Sequence, residues 1–112
     1  MFNFHRLDVY RCAVKFLSLA APLAERAPRG FSSLSDQLRR AALSIPLNIA
    51  EASGRFEKDE RRYFGIARGS ALECAAIVDA FEALGAATEA ELAQPRELLE
   101  RIVSMLTKLS HE

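Results

Sequence analysis

Four segments of about 20 residues carry apolar side chains at three- and four-residue spacing, and clusters of breakers and caps separate them. That pattern leaves the chain little choice of fold. The separators are "ERAPRGFSS" (25–33), "ASGRFEKDE" (52–60) and "LGAATEAE" (84–91), where glycine, proline and small polar residues favour turns. The first segment has one row of Leu7, Tyr10, Val14, Leu17 and Ala21, and a second of Val9, Ala13, Phe16, Ala20 and Leu23. The third runs through Tyr63, Ala67, Ser70, Cys74, Ile77, Phe81 and Leu84. The fourth follows Thr88, whose hydroxyl and the Glu91 carboxylate form the two halves of a capping box. Its seam is Leu92, Leu99, Ile102, Leu106 and Leu109, widened by Leu98, Val103 and Met105. No segment alternates with period two. The spacing predicts an all-α fold, an up-down antiparallel four-helix bundle in one domain over 1–112, with helices at about 5–25, 33–54, 58–84 and 89–110.

The second segment contains a proline where a helix tolerates it badly. Leu34, Leu38, Ala42, Ile45, Ile49, Ala52 and Phe56 form a stripe that crosses Pro46 without losing phase. Proline removes a backbone donor and clashes with the carbonyl four residues back, at roughly 3 kcal/mol. The preserved phase predicts one helix kinked near Pro46, with the Ala42 carbonyl released. The competing reading is a break at Ile45, since the residue before proline is pushed out of the helical region.

A polar row, Gln37, Ser44, Asn48, Glu51 and Arg55, runs along the same helix. It reads as a solvated face or as a polar seam fixing register between helices. Its sharper alternative is a small polar site at Ser44, Asn48 and Glu51. On the third helix Gly65, Gly69, Ala76, Ala80 and Ala83 make a stripe of small residues beside Ser70. Interior glycine costs up to about 1 kcal/mol against alanine, so close approach of another backbone is the expected reason. Two apolar rows on the first helix, with Leu98 and Met105 on the fourth, exceed the single stripe per helix that a monomeric bundle needs and predict self-association.

Composition narrows the function. Fifteen cations balance fifteen carboxylates, so nothing pulls the whole chain toward nucleic acid. The balance is uneven: residues 1–56 hold eight cations against four carboxylates, and the remainder reverses it. No apolar run approaches the ~18 residues of a membrane span, and the N-terminus lacks a signal-like apolar core, so a cytoplasmic location is expected. Cys12 and Cys74 lack metal or redox spacing, and His5 and His111 lie outside any Glu-x-x-His pair. No phosphate-binding glycine loop or nucleophile elbow is present. Neither enzyme chemistry nor a cofactor is expected.

"SDQLRRAALSIPLNIAEASGR" (35–55), "FGIARGSALEC" (64–74) and "FEALG" (81–85), with the start "FHRLDVYRCAVKF" (4–16), resemble the bacterial 23S ribosomal RNA intervening-sequence proteins. The resemblance implies a short up-down bundle that assembles as a homopentamer. It places Arg39, Arg40, Ser44, Pro46, Asn48, Glu51, Gly54, Arg55, Gly69, Ser70 and Glu73 at signature positions, architectural or oligomeric in character. A relative of that family, the accessory protein of diversity-generating retroelements, is a basic pentameric barrel that binds RNA and a reverse transcriptase. This chain departs in having Ala52 where the family usually has glycine, and in its neutral charge.

The combined expectation is a non-enzymatic homo-oligomeric scaffold or binding protein, with RNA or a protein as its partner. Ser44, Pro46, Asn48, Glu51, Arg55, Gly65, Gly69 and Ser70 are the candidates for a helix joint or subunit interface. Arg6, Arg11, Lys15, Arg39, Arg40, Arg55, Arg61, Arg62 and Arg68 are those for RNA contact. Clustering of these cations on one surface would favour RNA. Pairing of each with a neighbouring carboxylate would favour a protein-only partner.

Overall fold

The computed structural model describes residues 1–111. Four helices, α1 (Asp8–Ala24), α2 (Ser32–Ser53), α3 (Glu57–Ala83) and α4 (Glu89–Ser110), follow a short 3-10 turn at Asn3–Arg6. The expected first helix from residue 5 is thus two pieces. Leu7 is extended (φ −77°, ψ 127°), and Arg11 clamps the joint by donating to the carbonyls of His5 and Arg6 and to the Asp8 carboxylate. That clamp draws the chain out of helical geometry just where α1 would otherwise have begun.

α2 runs unbroken through Pro46, which is buried between the fully buried Ile45 and Ile49. Apolar packing on both sides holds the helix together across its missing hydrogen bond. Pro22 in α1 and Pro95 in α4 also lie inside helices, where the apolar spacing gives no sign of them. α3 ends in a Schellman motif: Ala86 N–H bonds the Phe81 carbonyl at 2.9 Å and Gly85 N–H the Glu82 carbonyl at 3.0 Å. Gly85 has φ +74°, a left-handed conformation that glycine adopts without steric cost.

Each helix packs on two neighbours, α1 on α2 and α4, α3 on α2 and α4. A core of Phe16, Phe81, Leu38, Ile45, Ile49, Leu92, Ile102 and Leu106 fills the space between them, and no polar or charged side chain among the described residues is buried with it. The inner row of α1, Val9, Ala13, Phe16, Ala20 and Leu23, faces that core. Two expectations fail here. Phe56 leaves the core stripe, because α2 stops at Ser53 and the turn carries the ring into solvent, 92% exposed. Leu98 is not surplus but buried, its row lying on the core side of α4.

Contacts across helices fix which ends lie together. The start of α1 and the end of α4 share a groove lined by Leu7, Asp8, Val9, Met105, Lys108 and Leu109. Arg68 Nε donates to Thr107 Oγ1 at 2.8 Å, joining α3 to the later part of α4. Arg26, just past α1, grips Glu91 in the first turn of α4 with two bonds of 2.9 and 3.1 Å. That ion pair crosses between the two oppositely charged halves of the sequence.

Glu91 also completes the capping box. It accepts from Thr88 N–H at 2.9 Å, while its own N–H donates to Thr88 Oγ1 at 3.2 Å. Arg26 and the Thr88 amide together hold its carboxyl down at about 2, from an ordinary 4.5. A depressed carboxylate stabilises the fold above its unfolded pKa and loses that contribution as pH falls toward the folded one. The melting-temperature gap between wild type and Glu91→Gln should therefore be widest above pH 4.5 and close as pH falls toward about 2. A gap independent of pH would separate Glu91 from acid stability.

Candidate helix joint and interaction surfaces

The polar row of α2 divides into two unequal groups. Ser44 Oγ and Ser70 Oγ lie 2.8 Å apart across the α2–α3 seam. Asn48 Nδ2 donates to Ser44 Oγ at 3.0 Å and to the Ser44 carbonyl at 2.9 Å, and Ser70 Oγ donates to the Ile66 carbonyl at 3.2 Å. Ser70 has spent its proton on Ile66, so Ser44 donates to Ser70. The chain of donors runs Asn48 to Ser44 to Ser70 to the α3 backbone. Both hydroxyl protons are committed, and the bonds tie α2 to α3 half-way along their length.

Glu51 lies outside this group. It pairs with Arg55 one turn on, and the Arg55 guanidinium sits 5.2 Å from the Tyr63 ring centroid, with that of Arg62 at 5.4 Å. The alternative site of Ser44, Asn48 and Glu51 is not assembled: the hydroxyl and amide bond toward Ser70 across the α2–α3 seam, while the carboxylate pairs with Arg55 one turn along. Gln37, Arg40, Ala41, Ser44, Ser70 and Glu73 line an open cleft of about 320 Å³ above the Ser44–Ser70 bond. Burial pushes the Cys74 thiol up to about 12, so it carries no thiolate near neutral pH. Among the described residues no group of three His, Cys, Asp or Glu could hold a metal ion.

The two α3 glycines do not mark a close approach within the chain. Both are exposed, and a Cβ added at Gly65 or Gly69 would meet nothing within 4 Å. Ala76 and Ala83 continue this bare strip along α3. On another side, Leu43 and Leu47 of α2 stand 46% and 58% exposed, and Val14 of the outer α1 row 42%. Sequence reasoning missed Leu43 and Leu47 although their signal was present. They sit four residues apart and fall outside the Leu38–Ala42–Ile45–Ile49 stripe, so they cannot share its face.

Six of the candidate RNA-contacting cations are engaged by neighbours. Arg11 pairs with Asp8, Arg39 with Asp36 and Arg55 with Glu51. Arg68 is bonded to Thr107, Arg62 lies over Tyr63, and Arg61 is also engaged. Arg6, Lys15 and Arg40 belong to three separate elements, the N-terminal turn, α1 and α2.

A family model described as 23S rRNA-intervening sequence protein matches residues 5–108. The chain belongs to that family. No curated protein matches it. In this intervening-sequence protein the signature stretch 35–55 is α2 with the turn that follows. It supplies the Ser44–Asn48 half of the joint and the Glu51–Arg55 pair, while Ser70 and the two glycines come from α3. No helix among the described residues is long and apolar enough to cross a membrane.

Proposed function

We propose that this intervening-sequence protein is a non-enzymatic, cytoplasmic scaffold built as a homo-oligomer, with five copies as the expected number. The observation that carries the reading is the presence of two unlike exposed strips on one chain: Leu43 and Leu47 on α2, and the small residues Gly65, Gly69 and Ala76 on α3. A two-fold pair needs a single self-complementary patch. A ring needs two unlike patches that fit head to tail. Leucines seated on a strip of small residues meet that second requirement. The reading takes the helices in up-down order and α2 as bent at Pro46, the bend setting the line of Leu43 and Leu47 against the next copy. The Ser44–Asn48–Ser70 bonds then hold α2 and α3 at a fixed separation, so that both faces of each copy keep their spacing.

A protein partner is favoured over RNA, because the chain is electrically neutral and Arg11, Arg39 and Arg55 are held by carboxylates. Native mass spectrometry without nuclease tests both parts. Five copies free of nucleic acid are expected. A monomer would overturn the scaffold, and bound nucleic-acid mass would overturn the choice of partner.

The glycines give a second check. In an isolated chain Gly65→Ala with Gly69→Ala should stabilise α3 by about 1 kcal/mol per site, since helical geometry suits alanine and the space is open. In the assembly the added methyl groups fall under the neighbouring copy's leucines. The double variant is expected to show a more stable subunit and a weaker oligomer, read by denaturation at low concentration and by subunit mass at high concentration. An oligomer of unchanged affinity would remove the glycine strip from the interface.

A further inference from the structure

We propose that the groove between α3 and α4 receives the outer row of α1 from the neighbouring copy, with Lys15 of one copy set against Glu100 of the next. This contact rests on the ring reading above and adds a second, charged part to its leucine–glycine seam. The groove has a volume of about 450 Å³, a floor of Leu72, Leu99 and Val103, and a rim of Asp79, Arg96 and Glu100. Leu72 stands three residues after Gly69 and four before Ala76, so the groove borders the strip of small residues on the α3 surface. A neighbour's α2 laid on that strip leaves the groove open. The helix packed beside it, the neighbour's α1, is the one to fill it.

Charge selects that placement. The two halves of the sequence are also two halves of the bundle: α1 and α2 with the N-terminal turn hold the excess of cations, α3 and α4 the excess of carboxylates. Arg96 pairs with Asp79 and with Glu82, both at 2.8 Å, so the cation of the groove is already taken. Glu100 adds a carboxylate with no bonded partner among the described residues. On α1, Val14 is 42% exposed, and the ammonium of Lys15 beside it likewise has no bonded partner among those residues. Arg11, one turn earlier, is by contrast held by Asp8. An aliphatic side chain next to an unpaired cation complements an apolar groove with an acidic rim. The opposite placement of α1, over the α2–α3 seam, would meet Arg40 together with Glu73 rather than carboxylates in excess.

The levels agree as well. Val14 and Leu43 lie at nearly equal distances along the chain from the 25–31 connection, and in up-down order helices rise equally per residue. Leu43 seated at Gly69 therefore brings Val14 and Lys15 to within a turn of Leu72 and Glu100, which share the groove.

Charge exchange, followed by analytical ultracentrifugation of the full chain over a dilution series, tests the contact. Lys15→Glu and Glu100→Lys are exposed changes outside caps and core, so both variants should keep the wild-type helical signal. In the proposed ring each single reversal sets like charges together at every seam. The concentration at which the assembly half dissociates should rise about tenfold or more. The double variant restores opposite charges and should assemble as the wild type does. Single variants that assemble as well as wild type would overturn the contact and leave the leucine–glycine seam standing. A double variant as weak as the single ones would overturn it too, because exchange restores nothing unless the two residues meet. A wild type that sediments as a single chain at every concentration would instead remove the ring, and this contact with it.

Discussion

If the proposed homo-oligomer forms, Leu43→Lys combined with Leu47→Lys is expected to reduce it to single chains while leaving the helical content untouched. Both side chains are about half exposed on α2, and neither belongs to the buried stripe of Leu38, Ala41, Ala42, Ile45 and Ile49. Exposed substitutions away from caps and cores usually change stability by within about 0.5 kcal/mol. A lysine pair set against the glycine strip of a neighbouring copy would instead bury two charges without partners, which costs several kcal/mol per contact. In the proposed ring every copy would carry the defect at its seam, so the effect would multiply with subunit number. Light scattering after gel filtration reads the outcome directly. An unchanged subunit number with both lysines in place would sink the assignment of this face.

Phe81→Ala is expected to be the most damaging single change inside the chain, lowering stability by about 3–5 kcal/mol. The ring is fully buried in the α3 seam, and its backbone carbonyl accepts the Ala86 N–H that closes the Schellman motif. Truncation opens a cavity beside the turn into α4, so α3 and the α3–α4 connection loosen together. Domains of this size are typically stable by about 5–15 kcal/mol, and the variant should show a large drop in its urea midpoint. A loss below about 1 kcal/mol would mean that the core collapses around the missing ring. It would also mean that close packing around Phe81 is not what holds α3 in place.

The apolar spacing carried most of the architecture because a helix period is a local property. Val9, Ala13, Phe16 and Ala20 can be placed on one face without knowing what covers them. Thr88 and Glu91 were legible for the same reason, since both halves of a capping box lie within one turn. Phe56 escapes its stripe because periodicity alone does not say where a stripe stops. The turn at 54–56 ends α2 before the ring could join the core. Leu98 shows the reverse limit: spacing marks its row as apolar but not as facing inward.

The polar row shows why sites are harder to read than folds. Ser44, Asn48 and Glu51 share one helix edge, yet Ser70 of α3 engages the first two while Arg55, one turn along, takes the third; the Ser70 contact, 26 residues away, is not written in linear spacing. The α3 glycines stand out for a sound reason, the cost of glycine in a helix. That cost does not say whether the close neighbour belongs to the same chain, and within this chain the space is open.

The seam between α1 and α4 is the least extensive of the four and, unlike the others, has no peptide across it. Arg26 and Glu91 join it at one end, and the groove between Leu7 and Leu109 marks the other, where the first and last residues of the helical ring are neighbours. The ring of helices is therefore closed through space. A short linker between the present termini, with a cut in the 25–31 connection, would permute the order of the elements and keep all four seams. What defines this fold is a cycle of four helix pairings, and the sequence enters that cycle at its least extensive seam.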